Sequence, residues 1–131
     1  MVIIGLGNAG CGIASLFEKD KQYDVFLYDV GKNIKRQSTV EEYENNPPKL
    51  NNKILKTTKK VWFIMSGASK VAGCSLQMMQ QIKDKDLNVV YIYPDKLTSS
   101  NNSNRRNKVV FNVLQQYARS GLLSSIYLVS N

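Results

Sequence analysis

The sequence predicts an α/β domain in which a doubly wound, mainly parallel sheet of five or six strands is flanked by helices. Short apolar segments alternate with helical segments along the chain, an order typical of parallel sheets with right-handed crossovers. Residues 61–65 and 89–93 are apolar without interruption, as in strands buried on both faces. With 131 residues, the chain is long enough for one such domain and too short for two.

The N-terminal part predicts a strand, a glycine-rich turn, a helix and a second strand. The first strand spans residues 2–4, and the turn spans residues 5–12. Apolar residues at helical spacing predict a helix over about residues 10–19. The second strand spans residues 25–28 and is followed at once by Asp29.

Residues 31–60 are polar, and we expect them to be irregular apart from a short helix near residues 39–44. Residues 45–48 and the pair Asn51-Asn52 are typical chain breakers. The lysines in this region have no interleaved aromatic residues for base stacking. We therefore expect a solvated lysine surface and no direct contact with nucleic acid.

The C-terminal part predicts two further strands, two helices and a last strand. The strand at residues 61–65 leads through a turn at 66–73 to a helix over about 73–83. After the strand at 89–93, residues 98–104 have the composition of an exposed loop. A helix over about 105–119 and a strand at 126–129 complete the pattern; the methionines at 78 and 79 are expected to fill the core.

Composition excludes several classes of protein. No apolar run approaches the length of about 18 residues that a membrane helix needs, and no basic region precedes the first apolar stretch as in a signal peptide. A cytoplasmic protein is therefore expected, with Cys11 and Cys74 as buried, unpaired thiols. The chain has no histidine, which argues against zinc binding and excludes Ser-His and Cys-His nucleophiles.

The glycine-rich first turn predicts a phosphate site. Glycines are needed where φ is positive or where the backbone approaches a phosphate closely, and the free N–H groups at the start of the following helix favour an anion. The strand before the turn and the helix after it provide the required context. We expect the site to be lined by Gly7, Asn8, Ala9, Gly10 and Cys11. A net charge of +8 is compatible with such a polyanionic ligand.

A second turn joins another buried strand to a helix. Gly67, Ser69, Lys70 and Gly73 lie in it, and they suit a second phosphate cradle in which Lys70 supplies a point charge. The same residues are equally compatible with an ordinary connection that carries a solvated lysine.

Asp29 supports a different ligand. It ends the second strand, 19 residues after Gly10, where a dinucleotide-binding Rossmann unit holds the ribose hydroxyls with an acidic residue. An NAD(P)-binding domain of an oxidoreductase is therefore the alternative function.

The chain also resembles the tubulin/FtsZ family, and the plasmid and phage branch more than eukaryotic tubulin. Residues 4–10 resemble that family's first nucleotide loop, and residues 61–81 resemble its signature loop with the flanking strand and helix. Residues 105–131 resemble its late helix and strand, in which Asn112 and Asn131 match asparagines that contact ribose and guanine. Of the family's glycine-rich signature loop, only the last glycine, Gly73, is kept.

The resemblance implies a guanine-nucleotide-binding domain, with GTP or GDP and an optional Mg²⁺, from a cytoskeletal protein that forms filaments. Residues 1–131 are then a single nucleotide-binding domain, and three origins stay open for it: a fragment of a longer chain, the product of a split gene, or a degenerate relative of the family. The second domain that completes hydrolysis in the family has no counterpart here, so no catalytic residue is assigned and GTP hydrolysis by the chain alone is not expected. Arg106, near the start of the late helix, is a candidate phosphate contact. A remnant that binds no nucleotide and acts as a binding module is a third interpretation.

Overall fold

Six strands form one parallel sheet in a computed structural model, which describes residues 1–93 and 101–130. The strands are β1 Val2–Leu6, β2 Asp24–Val30, β3 Asn33–Ile34, β4 Val61–Met65, β5 Leu87–Tyr93 and β6 Ser125–Ser130. They lie in the order β3-β2-β1-β4-β5-β6, and each neighbouring pair is parallel. The predicted α/β fold with a doubly wound parallel sheet is confirmed.

Helices cover both faces of the sheet. They are α1 Gly7–Ala14, α2 Val40–Asn45, α3 Asn52–Lys56, α4 Ser75–Gln80 and α5 Asn101–Arg119, with 3-10 helices at Ser15–Phe17 and Lys70–Cys74. On one face, Ala14 of α1 packs with Ile3 and Ile64. The larger core on the other face contains residues of all four remaining helices, such as Ile54 and Leu114.

The chain reverses its direction of travel across the sheet at β1. From β1 it passes to β2 on one side, and it then returns to β4 on the other side of β1. In open parallel sheets this reversal opens a crevice at the carboxyl ends of the two strands, where ligands bind. Here that crevice lies between the end of β1 and the end of β4. The two predicted glycine turns follow these same two strands.

Several element boundaries differ from the sequence predictions. The first helix begins at Gly7 instead of residue 10, because a φ of 75° at Gly7 turns the chain directly out of β1. It tightens into a 3-10 helix at Ser15, whose hydroxyl donates to the Gly12 carbonyl at 3.0 Å. The helix predicted over residues 73–83 is a 3-10 helix followed by the shorter α4.

The polar middle segment is more regular than predicted. The short helix near residues 39–44 is confirmed as α2, and the hydroxyl of its N-cap Thr39 accepts the Glu42 N–H at 3.2 Å. The prediction of breakers at Asn51-Asn52 is wrong, since Asn51 caps α3 by accepting the Lys53 N–H at 2.9 Å. Residues 101–104, predicted as loop, are helical in α5, and the rest of that predicted loop lies outside the described residues.

Cys11 and Cys74 are both buried and unpaired, as predicted. Met78 and Met79 are fully buried in the larger core, which confirms their structural role. Within residues 1–93 and 101–130, no helix combines the length and apolar character that a membrane crossing requires.

Candidate functional site

Gly7 forms the link between β1 and α1 at the crevice. Leu6 is still extended, whereas Gly7 has a φ of 75°, a conformation that L side chains rarely adopt. This turn brings the first residues of α1 to the carboxyl end of the sheet without an intervening loop.

Two other glycines allow α1 to lie very close to the strands. A Cβ atom on Gly10 would overlap the carbonyl oxygen of Ile64 in β4. A Cβ atom on Gly5 would lie 2.8 Å from both the Ala14 Cβ and the Gly10 carbonyl oxygen. With Gly7, these residues form a Gly-x-Gly-x-x-Gly spacing, whose glycines serve tight turning, phosphate approach and helix–strand packing in dinucleotide-binding folds. Gly5 was not among the predicted site residues, although the spacing itself marks it.

The N-terminus of α1 is open to an anion. Leu6, its N-cap, makes no side-chain cap, and no acidic residue lies in the first turn. Asn8 and Ala9 are exposed, whereas Gly10 and Cys11 are buried. The first N–H groups of a helix have no partner within the helix, and they carry the positive end of the helix dipole. The arrangement is therefore suited to a phosphate or a carboxylate.

The side chain of Cys11 points away from that opening. Its thiol donates to the backbone carbonyls of Gly5, at 3.5 Å, and Tyr28, at 3.4 Å, between β1 and β2. Burial raises the pKa of the Cys11 thiol, and the carboxylate of Asp29 acts in the same direction. The side chain of Cys11 is thus a neutral packing group, and only the backbone of Cys11 can contact a ligand at the site.

The second turn lies against the first. A Cβ atom on Gly7 would be 3.2 Å from Val71 Cγ1 and 3.6 Å from the hydroxyl oxygen of Ser69. Ser69 is exposed, so its hydroxyl is available beside the start of α1. The ammonium group of Lys70 donates to the Ser38 carbonyl at 3.1 Å, which ties the turn to the segment before α2.

Gly67 and Gly73 in this turn have packing roles. A Cβ atom on Gly67 would overlap the hydroxyl of Tyr91, which itself donates to Asn107 of α5. A Cβ atom on Gly73 would lie 2.8 Å from the Val40 carbonyl oxygen of α2. Both glycines are buried, and they allow α5 and α2 to approach the turn.

Arg106 joins α5 to the second turn. Its Nε donates to the carbonyl oxygen of Ala68 at 2.9 Å. A cavity of about 280 Å³ opens beside this contact. Four predicted site residues line it, namely Gly67, Ser69, Gly73 and Arg106, with Arg105 and the α2 residues Glu41 and Glu44 on its walls.

The remaining predicted residues are placed differently. Asn112 is exposed on α5 and does not line this cavity. Asn131 lies outside the described residues. Asp29 lies at the end of β2, where its carboxylate accepts the Val30 N–H at 2.8 Å and acts electrostatically on Cys11 of α1. Asp29, the residue expected to hold the ribose in the NAD(P) alternative, therefore lies close to the start of α1.

Neither protein-family models nor curated protein sequences give a match to this chain. Within the part of the chain that the structure describes, no three His, Cys, Asp or Glu side chains cluster so as to hold a metal ion.

Proposed function

We propose that the chain is a nucleotide-binding domain that holds the phosphates of GTP or GDP at the start of α1. The observation that carries the proposal is the meeting of the two turns: Gly7, with its positive φ, lies against Ser69 at the point where the sheet order reverses. The uncapped N–H groups of α1 supply donors for a phosphate. The Ser69 hydroxyl supplies a further donor from the neighbouring turn.

Guanine nucleotide is preferred because two turns, and not one, border the crevice. A dinucleotide-binding unit has no need of the second turn, whereas the tubulin/FtsZ-like sequence pattern includes both. Arg106, held beside the second turn by Ala68, adds positive charge. In this proposal the chain is part of a cytoplasmic filament protein, and assembly into filaments depends on a second domain.

NAD(P) is the second candidate ligand, and the position of Asp29 favours it. The Gly5, Gly7 and Gly10 spacing matches the dinucleotide fingerprint, and Asp29 ends the neighbouring strand beside α1. The connection from β2 to β3 is a tight turn at Gly31 and Lys32 and contains no helix. The first half of a full dinucleotide-binding unit, which normally has a crossover helix between β2 and β3, is therefore not built in its usual form.

Calorimetric titration with GTP, ATP and NAD tests the proposal, using Ala9→Glu and its neutral match Ala9→Gln. Ala9 is exposed in the first turn of α1, where a carboxylate is favourable for the helix but repels a phosphate. We expect GTP to bind, and Ala9→Glu to weaken it at least tenfold, which is about 1.4 kcal/mol. Ala9→Gln should bind as the unmodified chain does.

Three results would contradict the proposal. Equal GTP affinity in both Ala9 variants would show that the phosphate does not bind at the start of α1. Preference for NAD, lost in Asp29→Asn, would establish the second candidate. If none of the three nucleotides binds, the remaining interpretation is a remnant that binds no nucleotide and acts as a binding module.

A further inference from the structure

A groove follows the outer edge of β2, away from the nucleotide site. Its volume is about 540 Å³, and it is bordered by residues 25–28 of β2, by Gly31, Lys32 and Asn33 of the following turn, and by Lys49 and Asn51. Of the predicted nucleotide-binding residues that the structure describes, none lines it. Four consecutive strand residues can border one groove only if the backbone edge of the strand forms its floor.

In the part of the chain that the structure describes, the edge of β2 has no strand paired to it along this floor, and the Leu27 carbonyl there accepts only a side-chain amide, that of Asn33. β3 pairs with Asp29 and Val30 and does not extend further along β2. The N–H and C=O groups of Asp29 both bond to Lys32, and the Leu27 carbonyl accepts the side-chain amide of Asn33 at 2.8 Å. Because backbone groups of alternate residues point to the same edge of a strand, those of Val25 and Leu27 also face the groove. β2 thus presents a strand-pairing edge where β3 does not reach.

The wall of the groove is held in place independently of any ligand. The backbone N–H of Asn51 donates to the Tyr28 hydroxyl at 3.0 Å, and the side chain of Asn51 caps α3. Leu50, beside Lys49, is buried in the larger core. The opening between this wall and the β2 edge is therefore preformed, which lowers the cost of ordering a bound segment.

The groove carries positive charge. Lys32 and Lys49 are exposed at its border, and among the described residues no acidic side chain lines it. The chain as a whole has a net charge of +8. A segment that paired with β2 would place alternate side chains toward each face of the sheet, so acidic residues on it could reach these lysines.

We propose that this groove binds an extended, acidic segment of a partner protein, which adds to the sheet as a strand beside β2. The N–H and C=O groups of Val25 and Leu27 provide main-chain pairing, and Lys32 and Lys49 select acidic side chains. The Leu27 carbonyl can accept a strand N–H while keeping the Asn33 bond, because a carbonyl oxygen has two lone pairs.

A short capped peptide of alternating glutamate and valine is the probe, titrated against the whole chain and followed by amide NMR and hydrogen exchange. We expect saturable shifts at Val25 and Leu27 and slower exchange of their N–H groups. Two control peptides should bind at least tenfold more weakly. The matching lysine–valine peptide lacks the acidic side chains, and a backbone N-methylated glutamate–valine peptide lacks the N–H groups for main-chain pairing.

The matched protein variants are Lys32→Glu with Lys49→Glu, and Lys59→Glu with Lys83→Glu. All four lysines are exposed, so thermal unfolding should change little in either pair. Only the first pair should lose peptide affinity, again at least tenfold. Four results would overturn the proposal. The first two are an equal loss of peptide affinity in both pairs of variants and full binding of the N-methylated peptide. The other two are no binding at millimolar peptide and a stronger shift of the same amides by a single-stranded oligothymidine.

Discussion

Gly10 of α1 lies so close to Ile64 of β4 that a Cβ atom on the glycine would overlap the Ile64 carbonyl oxygen. Because both partners are backbone, neither can move without shifting a helix or a central strand. We expect Gly10→Ala to destabilise the fold by about 3 kcal/mol, toward the upper end for overpacked positions. The free energy of unfolding in urea measures this change.

Gly12, in the same helix, is the matched control. It is exposed, and among the described residues nothing lies within 4 Å of the position that a Cβ atom would take. Gly12→Ala should therefore stabilise the fold by about 0.5–1 kcal/mol, the usual difference between the two residues in a helix, and leave nucleotide affinity unchanged. Similar destabilisation by both variants would show that the Ile64 contact is not the constraint.

Gly67 and Tyr91 should be energetically coupled. The Tyr91 hydroxyl occupies the position that a Cβ atom on Gly67 would need, and it donates to Asn107. Tyr91→Phe removes this buried donor and should cost about 1–3 kcal/mol. Gly67→Ala should cost less when it is combined with Tyr91→Phe than in the unmodified chain, with a coupling energy of about 1 kcal/mol.

Urea unfolding of the two single variants and the double variant gives the coupling energy directly. Gly31→Ala is a useful reference, because the φ of 83° at Gly31 is unfavourable for an L side chain, while no described residue lies within 4 Å of the added Cβ atom. Its cost should be the same in the unmodified chain and in the Tyr91→Phe variant. Strict additivity for Gly67 and Tyr91 would contradict the close contact.

The main strands could be predicted from the sequence because their apolar runs correspond to burial on both faces. β4 has the predicted bounds, and β1 and β5 extend the predicted strands by only two residues each. α3 could not be predicted in this way, because Asn51 is as typical of a chain breaker as of an N-cap. What stabilises that helix is the full burial of Ile54 against the distant sheet, which no local pattern contains.

The site was predictable to a similar degree. The glycine spacing and its place after a strand are visible in the sequence, and so is the second turn. The contact of Gly10 with Ile64 and that of Gly7 with Ser69 join residues far apart in the chain, so they follow only from the order of the strands. The direction of the Lys70 side chain, toward Ser38, depends on the path of the polar middle segment.

The buried thiol of Cys74 should make the fold sensitive to alkaline pH. Burial raises the pKa of Cys74 to about 11 from an ordinary value of 9.0. Because the folded pKa is the higher one, the stabilisation is complete below about pH 9 and is lost as the pH rises toward 11. The melting temperature should fall across this range.

Cys74→Ala is the variant that isolates this effect. It removes the titrating group, so its melting temperature should fall less steeply than that of the unmodified chain between pH 9 and 11. Burial also raises the pKa of Cys11 and that of Tyr91, and these two groups leave a residual slope in both proteins. Identical slopes would show that Cys74 does not carry the pH dependence.

Arg106 should matter for nucleotide affinity more than its neighbour Arg105. Its Nε is held by the Ala68 carbonyl beside the second turn, whereas Arg105 is exposed. If GTP binds as proposed, Arg106→Ala should weaken binding by about 1–3 kcal/mol, the range for hydrogen bonds to a charged group. Arg105→Ala should change binding by much less. Calorimetric affinities in both variants that equal the affinity of the unmodified chain would place both side chains outside the site.

The last prediction is that the chain binds GTP without hydrolysing it. Hydrolysis needs a positioned water and a group that orients or deprotonates it. The chain has no histidine, and Asp29 already accepts the Val30 N–H. The other acidic side chains of the described residues are exposed. Asp95, which the sequence places two residues after the predicted strand at 89–93, lies outside the described residues. Phosphate release per chain should stay at background and be independent of protein concentration. A rate that rises steeply with concentration would mean that copies complete the site for each other, and Asp95→Asn would then be the first variant to test.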